Sequence, residues 1–311
     1  MKKTLIHPII AASAALLLSC GFTASVRGDI LYLSNGTDNT IAKFNGAGAG
    51  SVFVSGGLDA PTGLAFDRAG NLYAANAIGQ TIEKFALSGG GGSLFASSGL
   101  SAPTGLAFDN AGNLYAANRN SNTIQRFTPD GVGTVFANSG LNRPLGLAFD
   151  SAGNLFVANV AGNTIEKFTP AGQGSLFATV GLASPAGLAF DSVGNLYAAN
   201  GDGSIEKFTP NGVGSVFANS GLNNPIGLAF DSVGNLYAAN KGDSTIAKFT
   251  PAGVGSLFAS DGLSSPEYLA FTDDAGVPLR LVNQVPEPST LALGALAALP
   301  FCMARRRSRS I

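Results

Sequence analysis

The chain has 311 residues, of which 45% are hydrophobic and only 12% charged, and its formal net charge is −1. Apart from basic residues near the two ends (Lys2, Lys3, Arg27, Arg305, Arg306, Arg307 and Arg309), 11 basic residues face 19 acidic ones between Asp29 and Glu287. That excess of acid argues against a nucleic-acid surface, and the placing of Cys20, Cys302 and His7 outside the body excludes disulfides, thiol nucleophiles and histidine triads from it.

In chain order, Met1-Lys-Lys-Thr4 precedes an apolar run, Ile9 to Leu18, with small residues after it. A basic start, an apolar core and a small-residue exit make a secretory signal peptide over residues 1–28. The run is too short for a permanent anchor. Leu17-Leu18-Ser19-Cys20 also resembles a lipoprotein cleavage box, which would place a lipid on Cys20; the alternative is a cysteine passing through an apolar signal.

From Ile30 to Thr272 one unit repeats. Pro61, Pro103, Pro144, Pro185, Pro225 and Pro266 open the units at spacings of 42, 41, 41, 40 and 41 residues. Asn35, Asn76, Asn118, Asn159, Asn200 and Asn240 keep the same period. Within a unit, Gly187-Leu-Ala-Phe190 is a short apolar strand that ends in the turn Asp191-Ser-Val-Gly-Asn195. Leu196-Tyr-Ala-Ala199 returns, Ile205-Glu-Lys-Phe208 is a more polar third strand, and Val216-Phe-Ala218 is a fourth. No segment has helical periodicity. Four short antiparallel strands in about 41 residues are a propeller blade.

Every strand type occurs six times, but the chain enters on a second-type strand at Ile30 and leaves on a first-type strand, Tyr268-Leu-Ala-Phe271. The fold predicted is therefore an all-β, six-bladed propeller of four-stranded antiparallel blades. It is closed by pairing of the N- and C-terminal strands, so no sheet edge stays open. The series beginning at Phe66 and at Phe53 should fill the space between blades. The glutamates Glu83, Glu166 and Glu206 beside Lys84, Lys167 and Lys207 suggest exposed ion pairs on the third strands.

The unit Pro-x-Gly-Leu-Ala-Phe-Asp-x-x-Gly-Asn-Leu-Tyr-Ala-Ala-Asn, followed by Thr-Ile-x-Lys-Phe, resembles the NHL-repeat propellers over residues 29–284. The family often has Asp where Asn76, Asn118, Asn159, Asn200 and Asn240 stand, and often Arg just before positions such as Ile82 and Ile124, where this chain has Thr. Related six-bladed folds include sugar lactonases, a streptogramin-type lyase and many binding proteins.

At the C-terminus, Pro286-Glu287-Pro288-Ser289-Thr290 precedes an apolar run, Leu291 to Met303, and a basic tail from Arg305 to Arg309. This order resembles the PEP-CTERM sorting signal of Gram-negative bacteria over residues 285–311. The resemblance implies an exosortase-type processing enzyme as partner, transient insertion in the inner membrane, and delivery to the cell surface or a biofilm matrix. The alternative is a permanent C-terminal anchor.

For chemistry in the body, the loops between second and third strands vary most, and variation on a regular scaffold is where specificity sits. The ligand-face candidates are the asparagine series Asn35, Asn76, Asn118, Asn159, Asn200 and Asn240, with the loop acids Asp38, Asp202 and Asp243. A calcium-dependent lactonase would need about three oxygen ligands converging near the channel. The asparagines also suit a capping role, and these acids suit turns. No catalytic residue emerges and no cofactor is required, calcium being the alternative. The expectation is thus a non-catalytic binding or structural protein, associated with exopolysaccharide through a polysaccharide or surface-protein ligand. The alternative is a divalent-cation-dependent, lactonase-like hydrolase or lyase.

Overall fold

In the computed structural model, which describes residues 28–88 and 91–279, the chain forms six four-stranded antiparallel sheets. Five take their strands consecutively from the chain. The sixth is composite: Ile30–Asn35, Thr40–Phe44 and Gly50–Val54 are joined by Pro266–Thr272 as its innermost strand. Ile30 pairs with Thr272, Leu31 with Phe271 and Asn35 with Pro266, so the ring closes as the sequence predicts. The isolated bridge Thr272–Pro278 and the hydrogen bond from Leu279 N–H to Phe271 O hold the chain just after the last strand.

The core lies between blades. Tyr73, on a second strand, meets Phe95 of its own outermost strand and Phe108 of the next blade's innermost strand, each edge-on with centroids 5.0 Å apart. Tyr115, Phe156, Tyr197 and Tyr237 repeat that wedge. Below it the third-strand phenylalanines, from Phe44 to Phe249, are 1% exposed. Burying each aromatic contributes roughly 1.5–3 kcal/mol, and edge-to-face contact adds about 0.5–1.5 kcal/mol.

The turns between first and second strands are nearly identical. Asp191 Oδ1 accepts the N–H groups of Val193 and Asn195, and Oδ2 accepts from Asn195 Nδ2 and the Tyr197 hydroxyl. Gly194 takes φ 88° in that turn, a conformation glycine adopts without penalty. The Glu–Lys pairs expected on the third strands do not form. Successive side chains of a strand point to opposite faces. Lys84, Lys167, Lys207 and Lys248 instead reach the turn carboxylates of Asp67, Asp150, Asp191 and Asp231 at 3.6–3.8 Å, over the neighbouring aromatic rings. At Asp67, burial pushes the carboxyl up, but bonds from Asn71 and the Lys84 charge outweigh it and leave the group below the ordinary value.

The innermost strands crowd together along a collar of glycines. A Cβ at Gly63 would strike the Thr104 carbonyl oxygen; at Gly105, that of Leu145; at Gly146, that of Ala186; at Gly187, that of Ile226. The collar separates two faces. One carries the turns between first and second strands. The other carries the loops that lead into the first strands and out of the second.

Candidate functional site

The asparagine series sits on the loop face, but its side chains point into the structure. Each is 1–2% exposed. Asn200 Oδ1 accepts the Ala183 N–H at 3.2 Å, and Nδ2 donates to Gly181 O and Ser204 Oγ. Asn76, Asn118, Asn159 and Asn240 bind equivalent partners, and Asn35 ties Ser264 and Gly262 to Thr40 across the closure. Both ends of every amide are thus occupied by the loops. Asp202 accepts from Ser204, and Asp243 from Thr245, each inside its own turn; Asp38 is exposed. Pro286, Glu287, Pro288, Ser289 and Thr290 lie outside the described residues, as does the apolar run expected to enter the membrane. Among the described residues no helix is long and apolar enough to cross a membrane.

A different set of residues gives this face its chemistry. At the collar position held by Gly63, Gly105, Gly146, Gly187 and Gly227, the closing strand has Tyr268. The residue before it is Glu267, where the other blades have Thr62, Thr104, Leu145, Ala186 and Ile226. Ser34 accommodates the change: its hydroxyl donates to Thr62 O at 2.5 Å and accepts the Tyr268 N–H at 3.0 Å. The residue after each buried asparagine, Gly36, Ala77, Arg119, Val160, Gly201 or Lys241, ends the second strand on this face. Only Arg119 and Lys241 among these carry charge.

Lys241 Nζ donates to Glu267 Oε1 at 2.5 Å. Burial still pushes the Glu267 carboxyl above its ordinary value, although Lys241 and Arg119 pull it down. Arg119 belongs to a blade two places from the closing one, yet its guanidinium is near enough to Glu267 and Tyr268 for both to act on its charge. Burial, then the nearby Arg143, lowers its pKa. Arg119 Nε and the Tyr268 hydroxyl are buried without a hydrogen-bond partner. Burial, reinforced by Glu267, drives the Tyr268 pKa far up, so this phenol keeps its proton.

The set therefore holds one carboxylate of raised basicity, two phenolic or guanidinium donors with no acceptor, and a lysine. It does not fit a divalent cation. Among the described residues no three His, Cys, Asp or Glu side chains converge in a way that could hold a metal ion. The only acid of the mouth is already engaged by Lys241, with a guanidinium beside it. A cavity of about 850 Å³ opens on the opposite, turn face. It is lined by residues that recur in every blade, such as Ala107, Ala148, Phe108 and Phe149, and by none of the four mouth residues. Its chemistry is that of the repeat; the mouth has a chemistry of its own.

Comparison with known proteins places the chain as follows. Residues 284–308 match the PEP-CTERM protein-sorting motif. This is an export and cell-surface sorting signal typical of Gram-negative bacteria that make exopolysaccharide, and it implies processing by an exosortase-type enzyme. No curated protein sequence matches the chain. Among solved structures, a chain of a nidogen–laminin complex is similar at 21% identity and TM-score 0.72, over 79% of this chain and 99% of that one. A catalytically inactive virginiamycin B lyase from Staphylococcus aureus, determined with quinupristin, is similar at 16% identity and TM-score 0.63, over 82% and 94%. A gluconolactonase from Xanthomonas campestris is similar at 17% identity and TM-score 0.58, over 68% and 82%. At these identities the likeness establishes the six-bladed fold.

These comparisons overturn the expectation of a non-catalytic binding or structural protein. Lyases and a gluconolactonase are among the proteins that have this fold, so the fold does not set that expectation above its alternative, a hydrolase or lyase. The asparagine series and the loop acids Asp38, Asp202 and Asp243 stand out in the sequence, whereas Glu267 and Tyr268 occur once, inside the strand that closes the ring, and Arg119 lies in one of the variable loops. The detectable signal was the loss of glycine at one of six equivalent positions.

Proposed function

We propose that the protein is an exported hydrolase or lyase of the lactonase-like kind, working at the mouth formed by Arg119, Lys241, Glu267 and Tyr268. The observation that carries this reading is the single break in the repeat, which gathers a basic carboxylate and unpaired donors where five blades have glycine and uncharged neighbours. The propeller, residues 29–284, is of NHL-repeat type on this reading. Residues 1–28 are removed on export, and 285–311 form the sorting segment.

In both reaction classes the first event is proton removal. In lactone opening, Glu267 takes a proton from water as the water oxygen attacks the carbonyl carbon. In elimination, it takes the proton from carbon while the leaving C–O bond breaks. Its raised pKa brings it closer to the strength a base needs near neutral pH. Negative charge then develops on oxygen, where the Arg119 Nε–H is directed without a competing acceptor. Tyr268, protonated throughout, donates a hydrogen bond to the departing oxygen, and the proton gained by Glu267 passes to that oxygen. Lys241 orients the carboxylate.

The test is turnover of aldonolactones and cyclic depsipeptides by the purified exported protein, followed by proton release or product chromatography. Glu267→Gln should lower kcat/KM by about 10²–10⁴ without lowering Tm. For the wild-type protein, the acid limb of the pH–rate profile should fall above the ordinary glutamate value of 4.5. No turnover of either class above the uncatalysed rate, or full activity in Glu267→Gln, would refute the proposal.

A further inference from the structure

The mouth also says what kind of molecule it takes. We infer that it binds a carboxylate-bearing ligand, with Arg119 as the residue that recognises the carboxylate; this rests on the mouth being the active site.

Buried polar groups in folded proteins almost always have partners, and leaving one without costs about 1–3 kcal/mol. Here two buried groups that can donate, Arg119 Nε–H and the Tyr268 hydroxyl, lack acceptors and lie close enough to influence each other electrostatically. The one acid beside them, Glu267, is taken by Lys241. What is missing is therefore an acceptor group, and a carboxylate offers two acceptor oxygens in the plane that a guanidinium fork matches.

Between Asp29 and Glu287 the chain has 11 basic and 19 acidic residues. Four of the lysines are committed to turn carboxylates on the opposite face. Yet Arg119 and Lys241 act on a single carboxylate at the mouth, and Arg143 acts on Arg119. Arg143 is exposed and pushes the Arg119 pKa down, so two guanidiniums are held near each other against repulsion. The loop acids Asp38, Asp202 and Asp243 are turned into their own loops or into solvent and are not among the groups acting on Arg119. A positive focus in an acidic protein is a place for an anion.

The test is a matched panel: acetate, lactate, D-glucuronate and D-galacturonate against acetamide, lactamide, D-glucose and D-galactose. Binding is measured by thermal shift and calorimetry at constant ionic strength in chloride. At least one carboxylate should bind, its uncharged counterpart should bind at least about tenfold more weakly, and Arg119→Gln should abolish the difference while Arg119→Lys restores part of it. Arg143→Gln should weaken binding less than Arg119→Gln. Glu267→Gln should still bind the carboxylate although its turnover falls, so failure of the enzymatic reading and failure of this one are separable. The inference is overturned if no carboxylate outperforms its uncharged counterpart, if chloride alone reproduces the effect, or if Arg119→Gln binds like the wild-type protein with an unchanged Tm.

Discussion

Five blades of this propeller are nearly copies of one another, and the sixth, assembled from the two ends of the chain, is not. In the copies the innermost strand has glycine where the blades crowd closest, because any Cβ would strike the next blade's backbone. In the composite blade the same position holds Tyr268, and Ser34 rather than alanine supports it from the adjacent strand. Repetition is enforced wherever one blade must fit the next. The seam, formed by strands far apart in sequence, can diverge without disturbing the other junctions, and the unusual side chains collect there.

The contrast can be broken outright by truncating the chain after Ser265. That leaves the Ile30–Asn35 strand with Thr40–Phe44 as its one remaining partner and opens the ring, and calorimetry should show no cooperative unfolding. A milder break is Gly146→Ala, whose methyl group meets the Ala186 carbonyl. It should cost about 3 kcal/mol, or roughly 6–12 °C in Tm for a body of this size. Tyr268→Phe sharpens the comparison. It should keep or raise Tm, because it deletes a buried hydroxyl with no partner. A Tm loss as large as that of Gly146→Ala would show that the seam is packed like the other junctions.

Next in size is Asn200→Ala, which strips partners from the Ala183 N–H and Gly181 O and should cost about 2 kcal/mol. Glu206→Gln should stabilise. Glu206 is 7% exposed, its Oε2 has no partner, and burial with help from Asp202 raises its pKa. The folded state thus holds this proton more tightly than the unfolded chain does. Stability is lost as pH rises from 4.5 through the raised folded value. The advantage of Glu206→Gln should be absent in acid, present at neutral pH, and visible in denaturant titrations at both. Gln125 already occupies the equivalent place in another blade. Smallest of all, Lys207→Ala removes a half-exposed pair with Asp191 and should change stability by under about 1 kcal/mol.

The period of Pro61 to Pro266 and the offset between first and last strands made the ring, its blade number and its seam legible in the sequence. Those features depend on what recurs, and recurrence is visible in a single chain. The mouth depends on an exception, and an exception looks like noise until the collar shows what glycine was doing there. Arg119 was harder still, since only the closed ring brings it to Glu267 from a blade two places away. The Glu83–Lys84 type of pair misled for a simpler reason: neighbours in a strand are not neighbours in space.

The pairing of Ile30 with Thr272 has a consequence for the order of events during secretion. The first strand to emerge must wait, without its inner partner, until the last has crossed, and only eleven residues lie between Thr272 and the start of the sorting motif at 284. Completion of the ring and recognition of the tail are therefore near-simultaneous, and a chain released too early would leave with its clasp undone.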